Sequence, residues 1–417
     1  KHLRLFYLPL YIFYYYSMLF YILFFSKIKF IKSEVDLLVC DINDDREIER
    51  ISKLLTKFQN KNIALFVSDS VDEYKNYNII KQKNYKNYDF FLVIKTIFFE
   101  LVFGLFINIV LSLYYKHNTF YHQIRFINNY LEYASIFKNF KSKYLYIERY
   151  IKIKPTMRSL YHMYGGKIFF TSQKSILASD QTSFCYNFDI MFSLGKKSMN
   201  KSKYFHGKID KIIPVGSLFR NQFMLSKKFI DTEKSIDGKY DVVFFGGNIV
   251  EASFFRNYKF FLDDYYDSLE WLKSIAIKHP DLKIGIKHHN NAKVDLKEEN
   301  IFKNTNIKII DNSMDSYSLI SNCRVSITYA STIGYEALSM GKPCIFLDPN
   351  EGNNFLPKIS DNFITDIFRA KSLDEFMSQF EYLISGNFHI EEYKNDIEEI
   401  ICQEKDIAEI MYKNLIY

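Results

Sequence analysis

From residue 33 onward the chain alternates short apolar runs with charged, amphipathic stretches, and that rhythm admits few folds. The runs Val35–Cys40 and Ile63–Val67 bracket the amphipathic stretch Asp44–Phe58, a strand, helix, strand pattern. It continues through a strand at Phe90–Ile94, an apolar helix near 97–115, an amphipathic helix near 119–139 and a strand at Tyr144–Ile147. Further strands are predicted at Lys167–Thr171, Ile190–Ser193 and Ile212–Val215. Elements alternating in this way build a parallel sheet covered by helices on both faces.

The stretch Phe223–Lys239 is polar and lacks long apolar runs, so it reads as a linker, after which the rhythm restarts. Strands are predicted at Val242–Phe245, Lys283–Lys287, Ile307–Ile310, Val325–Thr328 and Cys344–Leu347, and helices at Phe260–Lys278, Tyr317–Asn322 and Thr332–Met340. The acidic stretch Ile390–Ile416 predicts one or two closing helices. The expected fold class is therefore α/β, with two doubly wound Rossmann-like domains at 33–224 and 240–385, an apolar segment at 1–32 and closing helices at 386–417.

With 417 residues, 48% hydrophobic and 25% charged, the chain is neither disordered nor collagen-like. Its five scattered cysteines, an odd number without a Cys-x-x-Cys pair, argue against a disulfide framework or zinc ribbon and for a reducing compartment. The net charge of +7 is spread over lysines among Asn, Ile, Tyr and Phe, without the basic stripe of a nucleic-acid binder, so no nucleic-acid partner is expected. Attraction to anionic lipid fits this charge.

Leu5 to Phe25 carries no charge and is flanked by Lys1 and Arg4 on one side and Lys27, Lys29 and Lys32 on the other. Its length could span a bilayer, at about 20 residues per crossing. Pro9 and six tyrosines suit the interface as well as the hydrocarbon, so spanning, lying on the membrane and packing inside the protein all stay open. No small-residue cleavage site follows, which disfavours a signal peptide. A second uncharged stretch, Leu101 to Tyr115, is too short for a full crossing and suits a buried or membrane-dipping helix. Together these segments predict a peripheral or N-terminally anchored membrane protein.

The sharpest motif is Ser326-Ile-Thr-Tyr-Ala-Ser-Thr-Ile-Gly-Tyr-Glu-Ala-Leu-Ser-Met-Gly-Lys-Pro-Cys-Ile-Phe-Leu-Asp348. A buried strand ends in Ala330, Ser331 and Thr332, which open a helix whose N–H groups and positive dipole end suit a phosphate. Glu336, one turn in, can accept from ribose hydroxyls, while Gly341 and Pro343 mark the helix end. In Lys287-His288-His289-Asn290, successive side chains on a strand face opposite ways, so the two histidines are poor joint metal ligands. One of them, His289 preferred, can reach a phosphate with Lys287 beside it. Gly246-Gly247 after the first strand of the second domain permits close approach of a ligand.

The segment Ser331-Thr-Ile-Gly-Tyr-Glu-Ala-Leu-Ser-Met-Gly-Lys-Pro343 resembles the donor-binding segment of GT-B-fold glycosyltransferases that build bacterial capsule, lipopolysaccharide and other surface polysaccharides, Kdo transferases included. It is also similar to CDP-glycerol-type polyol-phosphate transferases and, more loosely, to UDP-sugar 2-epimerases. The resemblance implies that the second domain holds a nucleotide-sugar donor through Ser331, Thr332, Gly334 and Glu336, and that the first takes the acceptor. Where such families have His-Pro, this chain has His289-Asn290. Ile213-Pro-Val-Gly-Ser217 is similar to the closing strand of a GT-B first domain, with Gly216 at the cleft.

An inverting transferase needs a base on the acceptor side. Glu148, at the end of Tyr144-Leu-Tyr-Ile-Glu148, is the first choice, with Asp180, His162 and Asp41 as competitors and Gly165-Gly-Lys167 able to shape the acceptor pocket. The expected function is a metal-independent transfer of a sugar from a nucleotide-sugar to a lipid-linked or growing polysaccharide at the inner face of a bacterial cytoplasmic membrane. Asp41-Ile-Asn-Asp-Asp45 lacks Asp-x-Asp spacing at its start, and no metal or other cofactor is expected. A polyol-phosphate transferase would want a partner histidine motif in the first domain, and a 2-epimerase with a soluble substrate gives no reason for an apolar start.

Overall fold

The computed structural model describes residues 13–14, 16–17, 20–21, 33–59, 61–68, 77–81, 90–99, 103–114, 120–148, 156–175, 186–198, 208–226, 240–246, 258–289, 296–329, 331–351 and 368–416. Most of the apolar start, Asp180, Gly247 and the 227–239 part of the expected linker lie outside these residues. The described residues form two compact units, the second of which takes in the carboxyl ends of strands otherwise belonging to the first.

The first unit is organised on a seven-stranded sheet. Its strands are β1 (Ser33–Ile42), β2 (Ile63–Val67), β3 (Asn78–Lys81), β4 (Phe140–Ile147), β5 (Ile168–Ser172), β6 (Asn187–Ser193) and β7 (Lys208–Pro214). Their spatial order is β3-β2-β1-β4-β5-β6-β7, and β1 pairs in parallel with both β2 and β4. Burial on both faces explains why β2 reads as an unbroken apolar run. The helix Asp45–Lys57 follows β1 because Asp44 caps it, accepting from the Glu47 N–H at 3.0 Å, while Glu47 Oε2 reaches back to the Asn43 N–H at 2.7 Å. It buries Ile48, Ile51, Leu54 and Leu55.

The strand expected at Phe90–Ile94 is instead part of a helix, Phe90–Phe99, and the apolar helix expected near 97–115 is a separate one at Leu105–Tyr114. Only Lys95 and Thr96 separate Phe90–Ile94 from the apolar Ile97–Phe99, and the whole stretch continues as one helix. Both helices rest on the long helix Phe120–Asn139, which leads directly into β4. Edge strand β3 has no fully buried position and left no periodic signal.

The second unit carries a six-stranded sheet in the order β10-β9-β8-β11-β12-β13. These are β8 (Val242–Phe245), β9 (Ile284–Lys287), β10 (Ile307–Ile309), β11 (Val325–Tyr329), β12 (Cys344–Leu347) and β13 (Arg369–Ala370), and every pairing recorded between them is parallel. The core joins these strands to Leu269, Leu272 and Ile275 of the helix Tyr258–Lys278 and to Phe376 and Phe380 of the helix Leu373–Ile384. The acidic C-terminal stretch forms two helices, Lys394–Ile400 and Ile407–Ile416. The chain is thus an α/β protein of two doubly wound, Rossmann-like sheets. Among the described residues no helix is long and apolar enough to cross a membrane.

Candidate functional site

In an open parallel sheet, ligands bind beyond the carboxyl ends of the strands where the strand order reverses. The reversal falls between β1 and β4 in the first sheet and between β8 and β11 in the second. Each expected site residue can be placed against these two points.

At the first reversal stand Asp41 and Glu148. Glu148 is fully buried and accepts both arms of Arg50, from the helix Asp45–Lys57, with Nε–Oε1 at 2.8 Å and a second bond from Nη2 to Oε2. The Tyr146 hydroxyl donates to Oε2 at 2.7 Å, and Arg50 also reaches Tyr146 Oη and Ser172 Oγ. Burial pushes the Arg50 guanidinium down, but the adjoining Glu148 charge outweighs it and holds the group above the ordinary arginine value. Glu148, expected as the base, is therefore committed to a bidentate ion pair inside the fold, which argues against that role.

His162 is equally committed, with Nδ1 3.0 Å from Gly166 O and Nε2 3.0 Å from Asp189 Oδ1, so both ring nitrogens are engaged within the fold. Arg158 clasps the same aspartate, with Nε–Oδ1 at 2.7 Å. Asp41 differs. It is half-buried, at the irregularity where the β1–β2 register shifts, and its φ of 62° is left-handed, a strained backbone for a non-glycine residue. Its charge helps burial push up the neighbouring Cys40 thiol and Tyr133 hydroxyl.

At the second reversal β11 leads into the short helix Ile333–Ser339. Ser331 and Thr332 stand at its start, half-buried, with the Thr332 side chain making no capping bond. The Tyr335 and Glu336 N–H groups already donate to Thr332 O, so the anion site expected there has fewer donors than a longer helix start offers. Gly334 is packed tightly: a Cβ there would stand 2.6 Å from Phe346 Cε1 and 2.7 Å from Thr328 Cγ2. The motif's last residue, Asp348, is buried and accepts from Arg369 Nε at 2.6 Å.

Glu336 is buried, and its Oε1 accepts the Tyr317 hydroxyl at 2.9 Å and the Ser217 hydroxyl. Ser217 caps the helix Leu218–Met224. It is delivered by Gly216, whose φ of 99° and contact with the Cys402 carbonyl leave no room for a side chain. Burial, then the Glu336 charge, pushes the Tyr317 hydroxyl well above its ordinary value. Arg220, also buried, donates to Ser339 O at 3.1 Å; burial pulls its guanidinium down while Glu336, Glu398 and Tyr317 oppose that. Sequence reasoning had not singled out Ser217, Tyr317 or Arg220 as site residues, because they converge on Glu336 from separate elements.

Lys287, expected beside a phosphate, is buried and donates to Asn312 O at 2.8 Å and Asp311 O at 3.2 Å, which ties down the turn after β10. Of the two histidines, His289 is exposed, whereas His288 is buried with Nε2 2.8 Å from Glu298 Oε1. The His288 ring lies beside the reversal, since a Cβ at Gly246 would stand 3.6 Å from its Nδ1. Gly246 itself donates to Lys287 O at 3.1 Å and so prolongs the β8–β9 ladder. His289, the preferred one, thus stands exposed just beyond the carboxyl end of β9, while the His288 ring is held inside.

No protein-family model matches the chain, and no curated protein matches it in sequence. Among solved structures, the UDP-GlcNAc 2-epimerase from Neisseria meningitidis, solved bound to UDP-GlcNAc, is similar with a TM-score of 0.52 and 14% identity, over 92% of this chain and 100% of that one. The wall teichoic acid polymerase TagF is similar with a TM-score of 0.50 and 11% identity, over 93% of this chain and 89% of that one. At such identities the likeness is one of fold. The chain has the GT-B architecture of two Rossmann-like domains.

Proposed function

We propose that the protein is a glycosyltransferase that takes a nucleotide-sugar at the second reversal point and passes the sugar to a lipid-linked or growing surface polysaccharide at a membrane. The observation that carries this reading is Glu336, a buried carboxylate one turn after β11 that already accepts two hydroxyl donors, Ser217 and Tyr317. A ribose diol offers the same chemistry, so it can exchange with these partners without leaving the carboxylate unsatisfied. Ser331 and Thr332 stand where the phosphates would lie, and His288, beside Gly246, is the histidine we assign to the departing phosphate. Similarity in fold to an epimerase solved with UDP-GlcNAc is in keeping with a nucleotide-sugar as the substrate class.

For the acceptor side we assign the base to Asp41, whose left-handed backbone at the first reversal is strain of the kind that clusters at active sites. In the proposed inverting, metal-independent step the acceptor oxygen attacks the anomeric carbon and Asp41 takes its proton. The bond from that carbon to the nucleotide phosphate oxygen breaks, with the electron pair leaving on the phosphate. A thermal-shift panel of CMP, CDP, UDP, GDP and TDP on wild type and Glu336→Gln tests the donor site. One nucleotide is expected to raise the wild-type Tm and leave that of the variant unchanged; a well-folded wild type that responds to none overturns the reading.

A further inference from the structure

The helices Phe90–Phe99 and Leu105–Tyr114 both turn large apolar side chains outward, and the second is built inside out. In the second of them the polar side chains face the protein: Asn108 is 2% exposed, its Nδ2 donating to Gly104 O at 2.8 Å, and Ser112 is 0% exposed. The apolar side chains face outward, with Phe106 69%, Leu113 64% and Tyr114 77% exposed. The first helix continues the surface with Phe91 and Phe98 at 73% and 66%. The amphipathic helix Asp45–Lys57 of the same unit has the ordinary arrangement, burying Ile48, Ile51, Leu54 and Leu55. Water reverses neither pattern; an outward apolar face gains only where the surroundings are apolar.

Charge names the surroundings. The two helices contain one ionisable side chain that can be positive, Lys95, and no Asp or Glu. In the sequence Lys81, Lys83 and Lys86 precede them and Lys116 follows, against Asp89 and Glu100 on either side of the first helix, so the flanks are net positive. Lysines around an apolar surface attract anionic headgroups as the apolar residues enter the boundary beneath them. Ten residues make each helix about 15 Å long, half of the roughly 30 Å hydrocarbon core, so neither spans it. Both stand on the helix Phe120–Asn139, which runs straight into β4, so whatever they bind is coupled to the first sheet.

We infer that these two helices are the surface by which the protein docks on an anionic bilayer, lying in the boundary between headgroups and acyl chains. The inference deepens the membrane part of the proposed function and is independent of the nucleotide site. The test is flotation of the full chain with vesicles of phosphatidylglycerol and phosphatidylcholine, against phosphatidylcholine alone. Wild type is expected to float with the anionic vesicles, more weakly at high salt. The triple variant Phe98→Ser, Phe106→Ser, Leu113→Ser is expected to lose roughly tenfold in partitioning for each side chain removed. It should keep the wild-type thermal response to nucleotide, which separates failure here from failure of the donor reading.

Should the triple variant misfold, Phe106→Trp supplies a second readout. Its indole is expected to be quenched by lipids brominated along the acyl chain, whereas Trp271, stacked on Phe376 in the second unit, is not. The inference is overturned by a wild type that does not float, by a folded triple variant that floats equally well, or by an unquenched Phe106→Trp indole. Sedimentation that shows a wild-type dimer and a monomeric triple variant, without flotation, assigns the surface to a second copy of the chain. Loss of flotation on removing residues 5–25, with a triple variant that floats as well as wild type, overturns the inference and assigns the docking to that apolar segment.

Discussion

Each sheet presents a buried glutamate near the point where its strand order reverses, and the two are held by opposite means. Glu148 is gripped by both arms of Arg50, with Tyr146 completing the shell. Glu336 accepts the hydroxyls of Ser217 and Tyr317, each a neutral donor, with the buried Arg220 charge nearby. A carboxylate paired with a buried guanidinium has its charge spent within the fold, and removing either member strands the other. One held by hydroxyls can trade them for the hydroxyls of a ligand. Both lie near the carboxyl end of a strand, and the chemistry of their partners sets them apart.

The largest expected effect comes from breaking the first pair. Arg50→Ala leaves the Glu148 charge buried without its counterion and should cost about 3–5 kcal/mol of stability, read as a lowered denaturant midpoint. Glu148→Gln should also destabilise. A Glu148→Gln protein with wild-type stability but no transferase turnover would break the comparison and restore Glu148 as the base. In contrast Asp41→Asn should abolish turnover while preserving both stability and the thermal response to nucleotide.

Next in size is Gly334→Ala, where the added methyl meets Phe346 and Thr328. Overpacking there should cost about 1–3 kcal/mol. Nucleotide binding should survive, because this glycine seats the helix on β11 and β12. Glu336→Gln keeps an acceptor for Ser217 and Tyr317 and should cost only about 1 kcal/mol, yet erase the nucleotide-induced rise in Tm.

Much of this architecture was legible because burial on both faces of a parallel sheet writes itself into the chain as short apolar runs. β2, β8 and β12 coincide with their predicted limits for that reason. Edge strands β3 and β13 were missed, one without a fully buried position and the other only two residues long. The Phe90–Phe99 helix was misread in part as a strand, since an apolar helix exposed on its outer side has no polar stripe to reveal a period of 3.6. At the site, Glu336 was visible from its place after a strand, but its partners were not. Ser217 and Glu336 are 119 residues apart, and so are Arg220 and Ser339, a separation no local pattern encodes. The ion pair that holds Glu148 was hidden for the same reason: Arg50 lies 98 residues away.

The smallest expected effect is in alkaline stability, and it bears on the two tyrosines that donate to the two glutamates. Burial first, then the neighbouring carboxylate, pushes the Tyr317 hydroxyl well above its ordinary value; burial does the same for Tyr146, with Arg50 pulling against it. A hydroxyl raised in the folded state contributes its full stability below the unfolded value, near pH 10, and loses it as pH climbs toward the folded value. Each such group therefore subtracts about 1.4 kcal/mol per pH unit above that point. In Glu336→Gln the charge beside Tyr317 is gone, its folded value falls, and the loss above pH ~10 should stop at a lower ceiling than in wild type. In Arg50→Lys a cation remains beside Tyr146 and the alkaline limb should keep its wild-type shape. Urea midpoints measured across that range distinguish the two, and equal limbs for wild type and Glu336→Gln would mean that burial alone sets Tyr317 and that Glu336 exerts no charge on its hydroxyl partner.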